Sequence, residues 1–149
     1  MVPQQELLAA ARSAATRYKL DPALVCAVIE QESSWNTFAM RYEPAFRTRY
    51  VAALALPLTE EIARSTSWGL MQVMGQVARE NGLATEFLSE LCSPEIGIAI
   101  GCKVLTNKLG AVGGNLMSGL LLWNGAGDNS YPSQVLSKLN HYSSVSTKV

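Results

Sequence analysis

The stretch that most constrains this chain is Ala23 to Asn36, ALVCAVIEQESSWN, because it puts a carboxylate where ionisation is uncomfortable. Asp21-Pro22 opens it with an N-cap residue followed by proline at the first helical position, so a helix is predicted to begin there. Leu24, Val25, Val28 and Ile29 recur at helical spacing and define one apolar face. Advancing about 100° per residue, Glu32 falls near the middle of that face and Glu30 roughly opposite it. Ionising a carboxylate on the buried side of a helix is costly, so the pKa of Glu32 is expected to rise. A glutamate held neutral at a helix end, where the chain is about to turn polar, has the properties of a general acid. The plainer alternative is that Glu32 caps a loop or pairs with an arginine.

Helical periodicity dominates elsewhere too, and no convincing run of alternating strand residues is present. Residues 4–18 read as an amphipathic helix, and the Glu32 helix runs to about Ser34. Trp35 to Tyr50, broken by Glu43-Pro44, reads as a partly ordered loop leading into a short helix. Thr59 with Glu60 and Glu61 starts another helix. Ser67 to about Arg79 carries Leu70, Val73, Met74 and Val77 at helical spacing and is predicted helical until Asn81-Gly82 stops it. Ser93-Pro94-Glu95 opens a helix to about Leu109, and a glycine-rich turn follows from Gly110 to Asn115. Leu116 to Trp123 forms a short apolar helix, and Tyr131-Pro132 opens the last one, to about Tyr142. Ser143 to Val149 is expected to be a loose tail. With 149 residues and no repeat or linker, the expectation is a single, mainly α domain.

Several function classes drop out. Twelve basic against twelve acidic residues leave no net charge, which argues against binding nucleic acid by bulk electrostatics. The basic spot Arg47-Thr48-Arg49 is read as solvated surface. The single histidine, His141, is expected to be exposed, so a Ser-His-Asp triad, a Cys-His pair or a histidine zinc site would each depend on it. No GxSxG elbow, P-loop or GxGxxG is present, and Gly113-Gly114 is too bare to signal a phosphate site. No metal or organic cofactor is implied. Cys26, Cys92 and Cys102 are expected to be buried free thiols, with a Cys92–Cys102 bridge left open. The N-terminus lacks the pattern of a secretory signal, and the longest apolar stretch, around Tyr50 to Leu58, is too short to span a bilayer. The chain as given is therefore expected to be made in the cytosol. A target outside requires another carrier or a precursor segment.

What remains is carboxylate chemistry in a cleft with amides and aromatics. Glycosidic bond cleavage suits it, because the leaving oxygen needs a proton from an acid held neutral near physiological pH. Trp35, Tyr42, Trp68, Trp123, Gln72 and Asn124 supply stacking faces and amides near the predicted helix ends.

Three separated segments carry a family resemblance. Ile29 to Asn36, IEQESSWN, is similar to the glutamate-serine motif of the soluble lytic transglycosylases. Ser67 to Met74, SWGLMQVM, is close to their Gly-Leu-Met-Gln segment, and Trp123 to Gly127, WNGAG, is similar to their Tyr-Asn-Ala-Gly motif. Ser93-Pro94-Glu95 resembles the opening of the family helix between the last two motifs, and Tyr131 to Tyr142 the closing helix. The resemblance covers roughly residues 18–142 and implies the lysozyme-like fold shared with goose-type lysozyme.

By this resemblance Glu32 is the general acid and then base. Ser33 supports the site, Met71 and Gln72 line the cleft, and Asn124 positions sugar or the acid. Tyr42, Trp68 and Trp123 are the further candidate sugar-binding residues. Trp123 replaces the family tyrosine, with one extra residue before Ala126, so the resemblance does not carry over the hydrogen bond expected from a phenol, while stacking survives. The implied partner is peptidoglycan. The implied reaction cleaves the bond between N-acetylmuramic acid and N-acetylglucosamine and closes a 1,6-anhydro ring without water. A hydrolytic muramidase instead wants a second carboxylate, for which Glu43 is the best candidate and Asp128 and Glu60 weaker ones. Otherwise Glu43 pairs with Arg41 or Arg47 or supports Glu32. A reading from another class is a non-catalytic domain that binds sugar or serves a secretion or phage apparatus. The expected setting is the cell wall, as a phage endolysin, a virion-associated lysin or an excised domain.

Overall fold

The computed structural model describes residues 4–146. Helix α1, Gln4–Arg17, lays Leu7, Ala11 and Ala15 against α2, Pro22–Ser33. Asp21 caps α2 by accepting the Ala23 N–H on its side chain at 2.9 Å. The single apolar face expected for α2 needs correction. Every residue from Ala23 to Ile29 is buried, because α1, α8 and the 139–142 segment surround the helix. Only its last turn is polar, with Glu30, Gln31, Glu32 and Ser33 half-buried.

The region after α2 is more ordered than expected. It contains strand β1, Met40–Tyr42, a helical turn α3, Pro44–Phe46, and π and 3-10 turns over Arg47–Val51 and Ala52–Leu54. Helix α4, Leu58–Arg64, follows, beginning one residue before Thr59. Arg47 is not free surface, since its Nε meets Glu61 Oε1 at 2.6 Å.

The predicted helix over Ser67–Arg79 is not formed as such. Thr66–Trp68 is strand β2, Val73–Met74 is β3, and only Gly75–Glu80 is helical, as α5. β2 pairs antiparallel with β1, Met40 opposite Trp68 and Tyr42 opposite Thr66. It pairs with β3 on its other side, Ser67 opposite Met74. Two positive-φ residues in the β2–β3 turn, Gly69 at 69° and Gln72 at 49°, rule out a continuous right-handed helix. Leu70, Met71 and Val73 are still buried, so the apolar spacing is satisfied by a hairpin. These strands are too short for period-two alternation to register in the sequence.

A 3-10 turn over Leu88–Cys92 leads into α6, Pro94–Gly110, which packs on α1 and on α7, Leu116–Trp123. Asn115 caps α7 through its side-chain oxygen, 2.9 Å from the Ser118 N–H. Helix α8, Tyr131–Lys138, continues as a 3-10 turn to Tyr142. The expected loose tail begins instead with a helical turn, α9, Ser143–Ser146, and its last three residues lie outside the described ones. The architecture is thus mainly helical, with the hairpin set beside the C-terminal end of α2 by the Ser33–Leu70 bond.

All three cysteines are free, so no Cys92–Cys102 bridge exists. Burial pushes the thiols of Cys26 and Cys102 up to about 12, leaving almost no thiolate at neutral pH. Cys92 is only half-buried. Iodoacetamide on the native protein is therefore expected to modify Cys92 first. Peptide mapping that finds Cys26 or Cys102 alkylated earlier would contradict this packing.

Candidate active site

Glu32 stands on the last turn of α2 and points between the end of α7 and the start of α8. Its Oε1 accepts the indole N–H of Trp123 at 2.9 Å and the phenol of Tyr131 at 2.5 Å. Burial is the largest influence on the carboxyl and raises its pKa. The two hydrogen bonds and the nearby Arg41 charge oppose this without cancelling it. Burial and the adjacent Glu32 also raise the Tyr131 phenol, so Tyr131 acts as a donor. Such a carboxyl can stay protonated at a pH where an exposed glutamate is ionised, and two donors are ready for its anion.

Tyr131 was absent from the residues expected to form the site. The sequence signal was slight: a tyrosine before the proline that opens the last helix. It also revises the reading of the Trp123 replacement, since the carboxylate still receives a phenol hydrogen bond, from α8. Trp123 contributes its N–H as well as its ring.

Glu32 opens onto a cleft of about 750 Å³. Of the expected site residues, Gln72, Trp123, Asn124 and Glu43 line the same cleft. Gln72 spends its amide on the hairpin, donating to Ala39 O and Gly69 O and accepting from Ser67 Oγ. The remaining four stand elsewhere. Ser33 Oγ donates to Leu70 O at 2.8 Å, pinning the end of α2 to the β2–β3 turn. Met71 is 1% exposed, packed where α6 has only Gly101, so it belongs to the core and not the cleft. Trp68 donates its N–H to Ala63 O at 2.9 Å and packs on the core. Tyr42 is exposed and turned away, because Arg41 and Glu43 face the cleft and alternate residues of an extended chain face opposite ways.

Glu43 is paired with Arg41 Nε at 2.5 Å. Glu60 receives Arg64 and Arg79, which hold its carboxyl below the usual range. Asp128 is tied to Ser130, which lowers it likewise, so neither is shaped as a base. His141 is exposed, 3.4 Å from Glu30. Among the described residues no group of three or more histidine, cysteine or acidic side chains is placed to hold a metal.

Behind the site lies a second tyrosine–glutamate pair. Tyr142 donates to Glu30 Oε2 at 2.5 Å and accepts the Trp35 indole N–H at 2.8 Å. This ties down Ser34 and Trp35, two consecutive non-glycine residues with φ of 48° and 65°. Trp35, also read as a possible sugar-stacking group, is thus an anchor for the turn that leaves α2. Tyr142→Phe removes the acceptor of the Trp35 indole N–H and, among the described residues, leaves Glu30 with His141 alone at 3.4 Å. A loss of about 1–3 kcal/mol is expected in urea denaturation, and unchanged stability would remove this network as the turn's support.

Compared with known protein families, residues 9–131 match the Transglycosylase SLT domain model. No solved structure matches the chain. The matched span runs from α1 through the first residue of α8, and so includes Glu32, the hairpin, Trp123 and Tyr131.

Proposed function

Because the chain belongs to the Transglycosylase SLT domain family, we propose that it is a lytic transglycosylase that cleaves peptidoglycan between N-acetylmuramic acid and N-acetylglucosamine with 1,6-anhydromuramic acid as product. The observation that carries this reading is one carboxyl, Glu32, raised by burial and held by two donors at the wall of a large cleft. Glu32 protonates the leaving glycosidic oxygen as the C–O bond breaks. The substrate's acetamido group supports the cationic carbon. The carboxylate so formed, stabilised by Trp123 and Tyr131, then takes the proton from the C6 hydroxyl as its oxygen closes on that carbon. No water is consumed. The tethered hydroxyl has a high effective concentration, so a second carboxylate is unnecessary. The proposed place of action is the cell wall, and among the described residues no helix is long and apolar enough to cross a membrane.

A hydrolytic muramidase is the second reading, favoured by Glu43 lining the cleft that Glu32 opens onto. Its pairing with Arg41 weighs against it as a base, because a proton it gains must displace that pair. Mass spectrometry of digested peptidoglycan separates the two. Anhydro-muropeptides, one water lighter than hydrolysis products, are expected. Reducing-end products would make the chain a muramidase and Glu43 its suspected base. No cleavage by folded protein across a pH series would leave a sugar-binding domain.

The pH profile offers a further test. The acid form of Glu32 starts the reaction, so the rate should fall as pH rises through its pKa. Tyr131→Phe removes a donor that favours the anion, which raises that pKa. The basic limb of kcat/KM should therefore move to higher pH. A limb that stays in place or moves down would argue against Glu32 as the titrating acid.

A further inference from the structure

We propose that Arg49 is a binding site for a carboxylate of the stem peptide carried on the glycan strand, a proposal that rests on the transglycosylase reading above. The arginines around it are all matched. Arg41 meets Glu43, Arg47 meets Glu61, and Arg64 and Arg79 both meet Glu60. Arg49 meets no carboxylate among the described residues, is exposed, and lines the cleft of Glu32. It lies over an aromatic shelf: the guanidinium carbon is 5.1 Å from the Tyr50 ring centroid, and Tyr50 leans on Phe46 at 4.9 Å. Both rings line the cleft as well.

The segment bearing Arg49 is anchored on either side. Arg47 is held by Glu61 at 2.6 Å, and Val51 is fully buried. Stacking on Tyr50 then orients the guanidinium while its N–H fork meets no acceptor among the described residues, so little ordering is left to be done on binding.

The charges of the cleft single out the same residue. Arg41 and Glu43 neutralise one another, Glu80 and Lys108 bring one charge of each sign, and burial favours the neutral acid at Glu32. That leaves Arg49 and Glu32, and Arg49 is the charge without a counterpart whenever Glu32 is protonated. The sugars of the strand offer hydroxyls and acetamides, which are neutral. The stem peptides, attached through the lactyl ether of muramic acid, carry free carboxylates, the planar anion that a guanidinium grips with two hydrogen bonds.

The test uses muramyl glycan fragments with stem carboxylates free, with all of them converted to primary amides, and with stems removed so that the lactyl carboxylate is free. The wild type should cleave the free-stem form about fivefold faster than the amidated form in kcat/KM at low salt, less as salt rises. Arg49→Gln should bring that ratio close to unity, Arg49→Lys should restore part of it, and Arg49→Glu should invert it. A wild-type ratio near unity, or a wild-type ratio retained by Arg49→Gln, overturns the proposal while leaving the transglycosylase reading intact. So does an equal advantage for stem-free strands, which would assign the anion to the lactyl group. Failure to cleave any of the three overturns both readings.

Discussion

Glu32→Gln is expected to lower peptidoglycan cleavage by about 10³-fold or more, the range that a positioned general acid supplies. The fold should survive, because the introduced amide oxygen can still accept from Trp123 and Tyr131. The substitution should also change stability in a direction that identifies the mechanism. Burial raises the folded pKa of Glu32 above the ordinary glutamate value of 4.5. A carboxyl raised in this way favours the folded state most at low pH, where it is protonated in both states. That contribution is lost as pH rises from the unfolded pKa through the folded one, since the folded state must then ionise a buried group. Glu32→Gln removes the penalty, so thermal melting should show the variant at least as stable as the wild type at pH 7. Any such advantage should disappear below the ordinary glutamate pKa. A folded variant that retains wild-type cleavage would end the assignment of Glu32 as the acid. A variant less stable at pH 7 than at pH 4 relative to wild type would contradict the raised pKa.

Gly69→Ala is expected to cost about 3 kcal/mol or more, through strain and overpacking together. A Cβ at Gly69 would stand 2.3 Å from the carbonyl oxygen of Leu91, at a φ of +69°. That carbonyl cannot step aside, because Gly97 of α6 faces it closely as well, with a Cβ there only 2.2 Å away. Leu91 itself is buried. Gly113, at a φ of +63° with open space around it, is the control. Its alanine variant carries only the left-handed backbone penalty, about 1–2 kcal/mol. Urea titrations of the two should separate clash from strain, and equal losses would show that the Leu91 contact costs nothing. The β2–β3 turn also carries Leu70 O, to which Ser33 Oγ donates, so cleavage by Gly69→Ala should fall wherever the turn is displaced.

This glycine shows how the sequence and the structure divide the explanation. Gly-Leu-Met-Gln reads as a motif in the chain, yet its residues do four different things. Gly69 admits the Leu91 carbonyl, Leu70 offers its own carbonyl to Ser33, Met71 fills the space over Gly101, and Gln72 ties the turn together. Only Gln72 reaches the cleft. Met71, which the motif implies for the cleft, and Trp68, a candidate as an aromatic sugar platform, instead hold the backbone around the site in place.

Capping and proline signals act within a few residues, and those parts were legible from the chain alone. Asp21-Pro22, Ser93-Pro94 and Tyr131-Pro132 open α2, α6 and α8 where the sequence places them, and Leu116–Trp123 is α7. The mainly helical class and the family segments were likewise readable, and Glu32 was already conspicuous as an acid at the end of an apolar helix. The hairpin was not legible, since pairing of β1 with β2 overrides the helical spacing of Leu70, Val73, Met74 and Val77, and pairing is a property of distant segments. Nor were the partners of the acid. Trp123 and Tyr131 lie 91 and 99 positions along the chain from Glu32 and meet it only because α8 packs beside α2 and α7 packs on α8. Local sequence could place a carboxyl at the end of a helix; burial and convergence of remote donors, which set its proton affinity, required the folded chain.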